Sequence, residues 1–148
     1  MSFIETQPLE VYAMSCFFKF TDLAKLSSTS AMAFPPSAWN KEVRALMGKN
    51  GMKNLEQLQQ RRIIGLKSIL HGEMEGDGHS DGCVRPKMME QLWKDRVTRL
   101  AEQLQPESEL MELLEMDLRG GHCGDCLTLM GKTVKRCLVQ ARDLPRTV

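Results

Sequence analysis

From Met89 to Leu104 the apolar residues recur at steps of four, four, three and four: Met89, Trp93, Val97, Leu100 and Leu104. Only a helix gathers residues at that spacing onto one face. The segment from Lys53 to His71 repeats the pattern with Leu55, Leu58, Ile63, Leu66, Ile69 and Leu70, although Gly65 weakens it by about 1 kcal/mol relative to Ala. Leu110, Leu113, Leu114 and Leu118 suggest a shorter helix. Leu127, Met130, Val134, Cys137, Leu138 and Ala141 mark the stripe of a last one, from about Asp125 to Asp143. No stretch alternates apolar and polar residues over a useful length, and no Asn-Gly pair joins two alternating runs. The fold class expected is all-α, a helical bundle of six to seven helices.

The N-terminal part carries its own helical signals. Val11, Met14 and Phe18 share a face, with Phe17 beside them. Thr21 is placed to cap the next helix, and Asp22 suits the positive end of its dipole. Leu23, Leu26, Ser30 and Phe34 then line up, until Pro35 and Pro36 remove donors and stop the helix. Ser37 is the expected cap of a third helix with the stripe Trp39, Val43, Leu46 and Met47, ended by the turn chemistry of Gly48 to Gly51. This spacing divides the chain into a three-helix unit over residues 1–48 and a Leu/Met-rich helical bundle over 49–148. Within the bundle, residues 72–84 form an acidic, Gly-rich loop.

Bulk properties narrow the function. The 148 residues suffice for one domain or two small ones, and the net charge of +1 gives no field for nucleic acid or a membrane surface. The basic clusters are short and lack interleaved aromatics, so no nucleic-acid partner is expected. The longest strongly apolar run, Val11 to Phe18, is far shorter than a membrane span, and no secretory leader is expected at the N-terminus. Five cysteines, an odd number at uneven spacing, suit free thiols in a reducing compartment, cytoplasmic or nuclear.

Few residues promise chemistry. Cys123 and Cys126 form a Cys-x-x-Cys at a helix start, which lowers a thiol pKa, but the strand that a dithiol redox site needs before it is missing. Zinc would find one His and three Cys in His79, Cys83, Cys123 and Cys126, with His122 able to replace His79. The two intervening helices differ in length by roughly 12 Å at 1.5 Å per residue, which works against closing that set. Asp77, His79, Asp81 and Gly82 imitate the start of a calcium loop, but Met88 stands where a bidentate Glu is required. No nucleophile elbow, phosphate loop or dinucleotide fingerprint occurs, so the chain reads as a non-enzyme with no cofactor.

The sharpest feature is an imbalance of aromatics. All five Phe and the single Tyr lie between Phe3 and Phe34, and only Trp93 follows Trp39. In that region Pro8, Glu10 and Val11 form a Pro-x-Glu-hydrophobic start, and Phe17 and Phe18 sit in an apolar helix. Asp22, Leu23 and Leu26 give Asp-Leu-x-x-Leu, Thr29 and Ser30 a small polar pair, and Trp39 stands downstream. This order resembles the F-box family, although Gln7 stands where that family usually carries Leu. The resemblance implies a protein–protein adaptor that binds a Skp-type adaptor and joins a Skp–cullin–F-box ubiquitin ligase. Pro8, Leu9, Val11, Phe17, Phe18, Leu23 and Leu26 would make the contact. The alternatives are a non-enzymatic helical scaffold, in which those residues are an ordinary three-helix core, and a small zinc-stabilised module.

Overall fold

The computed structural model describes residues 2–72, 86–114 and 124–148, with side chains 86–88, 125 and 126 left aside. Every regular element among them is helical. In order these are α1 (Phe3–Thr6), α2 (Pro8–Phe17), α3 (Thr21–Ala31), a 3-10 turn (Pro36–Ala38), α4 (Lys41–Leu70), α5 (Pro86–Gln103), α6 (Leu110–Leu113) and α7 (Gly124–Arg142). The all-α expectation is met, and α5 begins at Pro86, where proline's missing N–H costs no helical hydrogen bond.

The chain forms two compact units. The first comprises the residues up to Ile64, Gln105–Glu107 and Leu144–Val148. The second comprises Gly65–Leu104 and Ser108–Asp143. The sequence suggested a division at Gly48, and there the backbone does leave the helix, with φ 66° and ψ 176°. A glycine tolerates that left-handed φ without a Cβ clash. The break lasts one residue, however. Helix resumes, and Leu55 and Leu58 join the core that already holds Leu9, Tyr12, Ala13, Trp39, Val43 and Met47.

Two details of the first unit differ from the sequence reading. Thr21 is not a cap: Phe20 holds that position, with no side-chain hydrogen bond. Ser37 falls in the 3-10 turn, and Asn40 caps α4, its Oδ1 accepting from the Val43 N–H at 2.8 Å. The turn after α3 is tied down by Gln59, which donates to the carbonyls of Met32 (3.1 Å) and Phe34 (2.8 Å). Trp39 Nε1 also donates to the Phe34 carbonyl. At the C-terminal side, Thr29 Oγ1 donates to the Arg146 carbonyl and the Val148 N–H donates to Ser28 Oγ. Residues 144–148 therefore lie along α3. Buried Arg62 donates from Nε to the Pro106 carbonyl.

In the second unit the five-membered stripe Met89, Trp93, Val97, Leu100 and Leu104 is buried throughout. Leu66, Leu70, Leu110 and Leu114 are buried too. From α7 the buried residues are Leu129, Met130, Thr133 and Cys137: Met130 and Cys137 of the expected stripe are buried, Leu127, Val134, Leu138 and Ala141 are half-buried, and Leu129 and Thr133 turn inward as well. Thr133 is tolerated inside because its hydroxyl donates to the Leu129 carbonyl four residues back. Arg96 Nη2 donates to the Leu113 carbonyl at the end of α6.

Candidate functional site

The site is built on the α2–α3 hairpin. Leu9, Tyr12 and Ala13 put the inner face of α2 into the core, and Cys16 is half-buried on the same side. The Tyr12 hydroxyl donates to the Gly51 carbonyl at 2.9 Å. A Cβ at Gly51 would stand 2.9 Å from Cys16 Sγ and 3.2 Å from Met47 Cβ, so a side chain there would force its neighbours to shift. Burial pushes the Tyr12 phenol pKa far up, and the neighbouring Cys16 adds to the shift. Burial also raises the Cys16 thiol, against a lowering by its hydrogen bond with Tyr12.

On α3 the inward face consists of Ala24, Ser27, Ser28 and Ala31, spaced as one helical stripe and all buried. Small side chains allow two helices to approach closely. The serine hydroxyls are satisfied within the helix: Ser27 donates to the Leu23 carbonyl at 2.7 Å and Ser28 to that of Lys25 at 2.7 Å. On α2, Ser15 does the same to Val11.

With the small residues inside, the large ones are outside. Phe17 is 58% exposed, Phe18 54%, Phe20 58%, Leu23 36% and Leu26 59%. Met14 also points out. The three rings meet in series through Phe18: Phe17 meets Phe18 edge-on at 5.1 Å, and Phe18 stacks with Phe20 at 5.9 Å. Side chains of this size and exposure present on the order of 500 Å² of apolar surface, at the upper end for a single protein's largest patch and in the range that marks interaction sites.

The connection between the helices holds this face in place. Lys19 sits at φ 59°, in the left-handed region. The Phe20 N–H donates to the Ser15 carbonyl (2.8 Å) and the Lys19 N–H to that of Cys16 (3.3 Å). That is the Schellman arrangement, closed here by a lysine where glycine is usual, at a conformational cost of roughly 1–2 kcal/mol.

Of the residues that the F-box resemblance assigns to a partner, Phe17, Phe18, Leu23 and Leu26 are exposed together. Pro8 and Leu9 are buried within the chain's own fold, and Val11 is half-buried, so these three support the hairpin from beneath. Phe20 belongs to the exposed group and was not singled out in the sequence. Its signal there was its place directly before Thr21, at the tip of a helix pair.

The zinc set is not assembled from described residues: His79, Cys83 and Cys123, like His122, lie outside them, and only the backbone of Cys126 is described, in α7. Asp77 and Asp81 lie outside as well. Among the described residues no group of three or more His, Cys, Asp or Glu side chains converges, and no helix is long and apolar enough to cross a membrane. Compared with known proteins, the chain matches no family model, no curated protein and no solved structure.

Proposed function

We propose that the chain is a protein–protein interaction adaptor whose α2–α3 hairpin docks into a partner, and that the partner is a Skp-type adaptor of a Skp–cullin–F-box ubiquitin ligase. One observation carries the reading: Phe17, Phe18, Phe20, Leu23 and Leu26 are held out together, while the inner stripe of α3 is made of Ala and Ser. A fold with large apolar side chains available to bury, which keeps small ones inside instead, reserves the large ones for another surface. Exposed aromatics on a fixed turn lose little conformational freedom on binding and serve as anchors. The order Pro8, Glu10, Val11, Asp22, Leu23, Leu26 and Trp39, with its F-box resemblance, names the partner class. The role needs no catalytic group or cofactor, and it places the chain in the cytoplasm or nucleus.

The test is direct titration of a purified Skp-type adaptor into the chain, repeated with Leu23→Ala/Leu26→Ala. Anchor loss at the centre of an interface weakens binding about 30-fold or more. Failure of the unaltered chain to bind ends this assignment. So does unchanged affinity in the double variant.

A further inference from the structure

We propose that residues 144–148 are a releasable strap on the docking helix: closed, they cover the Ser28–Thr29 flank of α3 beside Leu26, and a partner that takes the hairpin displaces them. This rests on the docking role above and adds a contact within the chain that limits it.

Side chains of α3 seat the strap. Thr29 Oγ1 donates to the Arg146 carbonyl at 3.1 Å, and the Val148 N–H donates to Ser28 Oγ at 3.1 Å. Leu144 and Val148 are half-buried, Val148 against the core of the first unit, while Pro145, Arg146 and Thr147 between them are exposed. Leu26 and Thr29 stand three residues apart on one helix, so their side chains are neighbours on its surface. A surface wide enough to bury Leu26 together with Phe17, Phe18, Phe20 and Leu23 therefore reaches Thr29, where the strap already lies.

Release costs α3 little. Ser28 Oγ also donates to the Lys25 carbonyl at 2.7 Å, so its proton keeps an acceptor when the strap leaves. Thr29 is half-buried and its bond to Arg146 is exposed, so water takes over there. The helix is held by other contacts. Ala24 and Ala31 belong to the core, and Gln59 fixes the turn behind them through the Met32 and Phe34 carbonyls. Two net hydrogen bonds favour the closed strap by roughly 5- to 150-fold, before the packing of Leu144 and Val148 is added. One or two buried anchors, each worth about 30-fold or more in affinity, match that margin.

Hydrogen exchange of the full chain tests release. The Val148 amide is expected to exchange by local opening, at a rate that low urea leaves unchanged. The Leu55 and Leu58 amides, in the core, wait for wider unfolding and speed up with urea. A Val148 amide that exchanges in step with Leu55 refutes a releasable strap. Affinity for a purified Skp-type adaptor tests the effect on docking. Thr29→Val removes the donor to Arg146, Val148→Pro removes the N–H that reaches Ser28, and Val148→Gly removes the packed side chain. Each is expected to bind about 2- to 10-fold tighter than the unaltered chain, the share of one lost hydrogen bond in holding the strap closed. Support requires a gain from at least one change on each side of the contact, at Thr29 and at Val148. Any other pattern, in a chain that binds, overturns the strap and leaves the docking role standing. A gain in Thr29→Val alone, for example, would mean that Thr29 meets the partner directly. Failure of the unaltered chain to bind ends both.

Discussion

The inward turn of the small face of α3 predicts that the two sides of one helix differ in tolerance: the large exposed residue can be trimmed at little cost, and the small buried one cannot be enlarged. Leu26 is 59% exposed, so roughly two-fifths of its side chain is covered. Full burial of a Leu contributes about 1.5–3 kcal/mol, which leaves about 0.6–1.2 kcal/mol at this site. Alanine recovers a small part of that through its helix propensity. Leu26→Ala should therefore lower stability by less than about 1 kcal/mol. Leu55, 0% exposed in the same unit, should lose about 2–5 kcal/mol on the same change, because a cavity is left behind. Ala31, also 0% exposed, has no room for added carbons, and Ala31→Leu should cost about 1–3 kcal/mol or more by overpacking. Urea unfolding followed by fluorescence and far-UV circular dichroism measures all three. Trp39 reports on the first unit and Trp93 on the second, so repeating the series with Trp93→Phe assigns the transition. A Leu26→Ala variant as damaged as Leu55→Ala, together with a neutral Ala31→Leu, would mean that α3 packs by its large face, and the docking surface would disappear with it.

Gln59→Ala removes both hydrogen bonds that hold the Met32 and Phe34 carbonyls. It should cost about 2–3 kcal/mol by urea unfolding, and a loss under about 0.5 kcal/mol would refute the tie. Gly51→Ala gains about 1 kcal/mol of helix propensity but sets a methyl against Cys16 Sγ and Met47 Cβ. Overpacking of about 1–3 kcal/mol should win, lowering the melting temperature, and a rise would contradict the close approach. Stability should also fall in alkali. Both Cys16 and Tyr12 have folded pKa values raised by burial, so the unfolded chain loses these protons first and is favoured as pH climbs. The decline begins near the ordinary thiol range, about pH 8.5, and steepens above about pH 10 as unfolded tyrosine ionises. Tyr12→Phe should remove the upper part of the decline and Cys16→Ala the lower. A urea midpoint independent of pH from 7 to about 10.5 would disprove both shifts.

Helical periodicity was readable wherever the apolar residues were large and the face was one-sided. The Met89–Leu104 stripe is buried as spaced, and α7, expected from about Asp125, begins at Gly124. It misled where residue size and burial part company. On α3 the eye follows Leu23, Leu26 and Phe34, yet Ala24, Ser27, Ser28 and Ala31 form an equally regular stripe. Periodicity locates two faces, and only the partner helix decides which turns in. The Schellman turn was missed for a related reason: Lys19 carries no glycine to announce a left-handed residue, and Thr21 beside it imitates a cap. The single-residue break at Gly48 looked like a helix end, because a kink and a terminus use the same glycine chemistry. The aromatic imbalance was legible at once, but whether those rings were core or surface is a three-dimensional fact. Tyr12 turns inward, its hydroxyl bonded to the Gly51 carbonyl, while Phe17 on the same helix stays exposed.

The first unit is discontinuous, and this orders events during synthesis. Its N-terminal portion ends at Ile64, while the segment that bonds Ser28 and Thr29 is residues 144–148. At ribosomal speeds of about 5–20 residues per second, the intervening stretch takes roughly 4–16 s to make. For that interval the nascent hairpin has its rings outside and one flank of α3 not yet strapped. It then offers chaperones and aggregation the Ser28–Thr29 flank of α3 in addition to the rings, which stay outside in the finished fold.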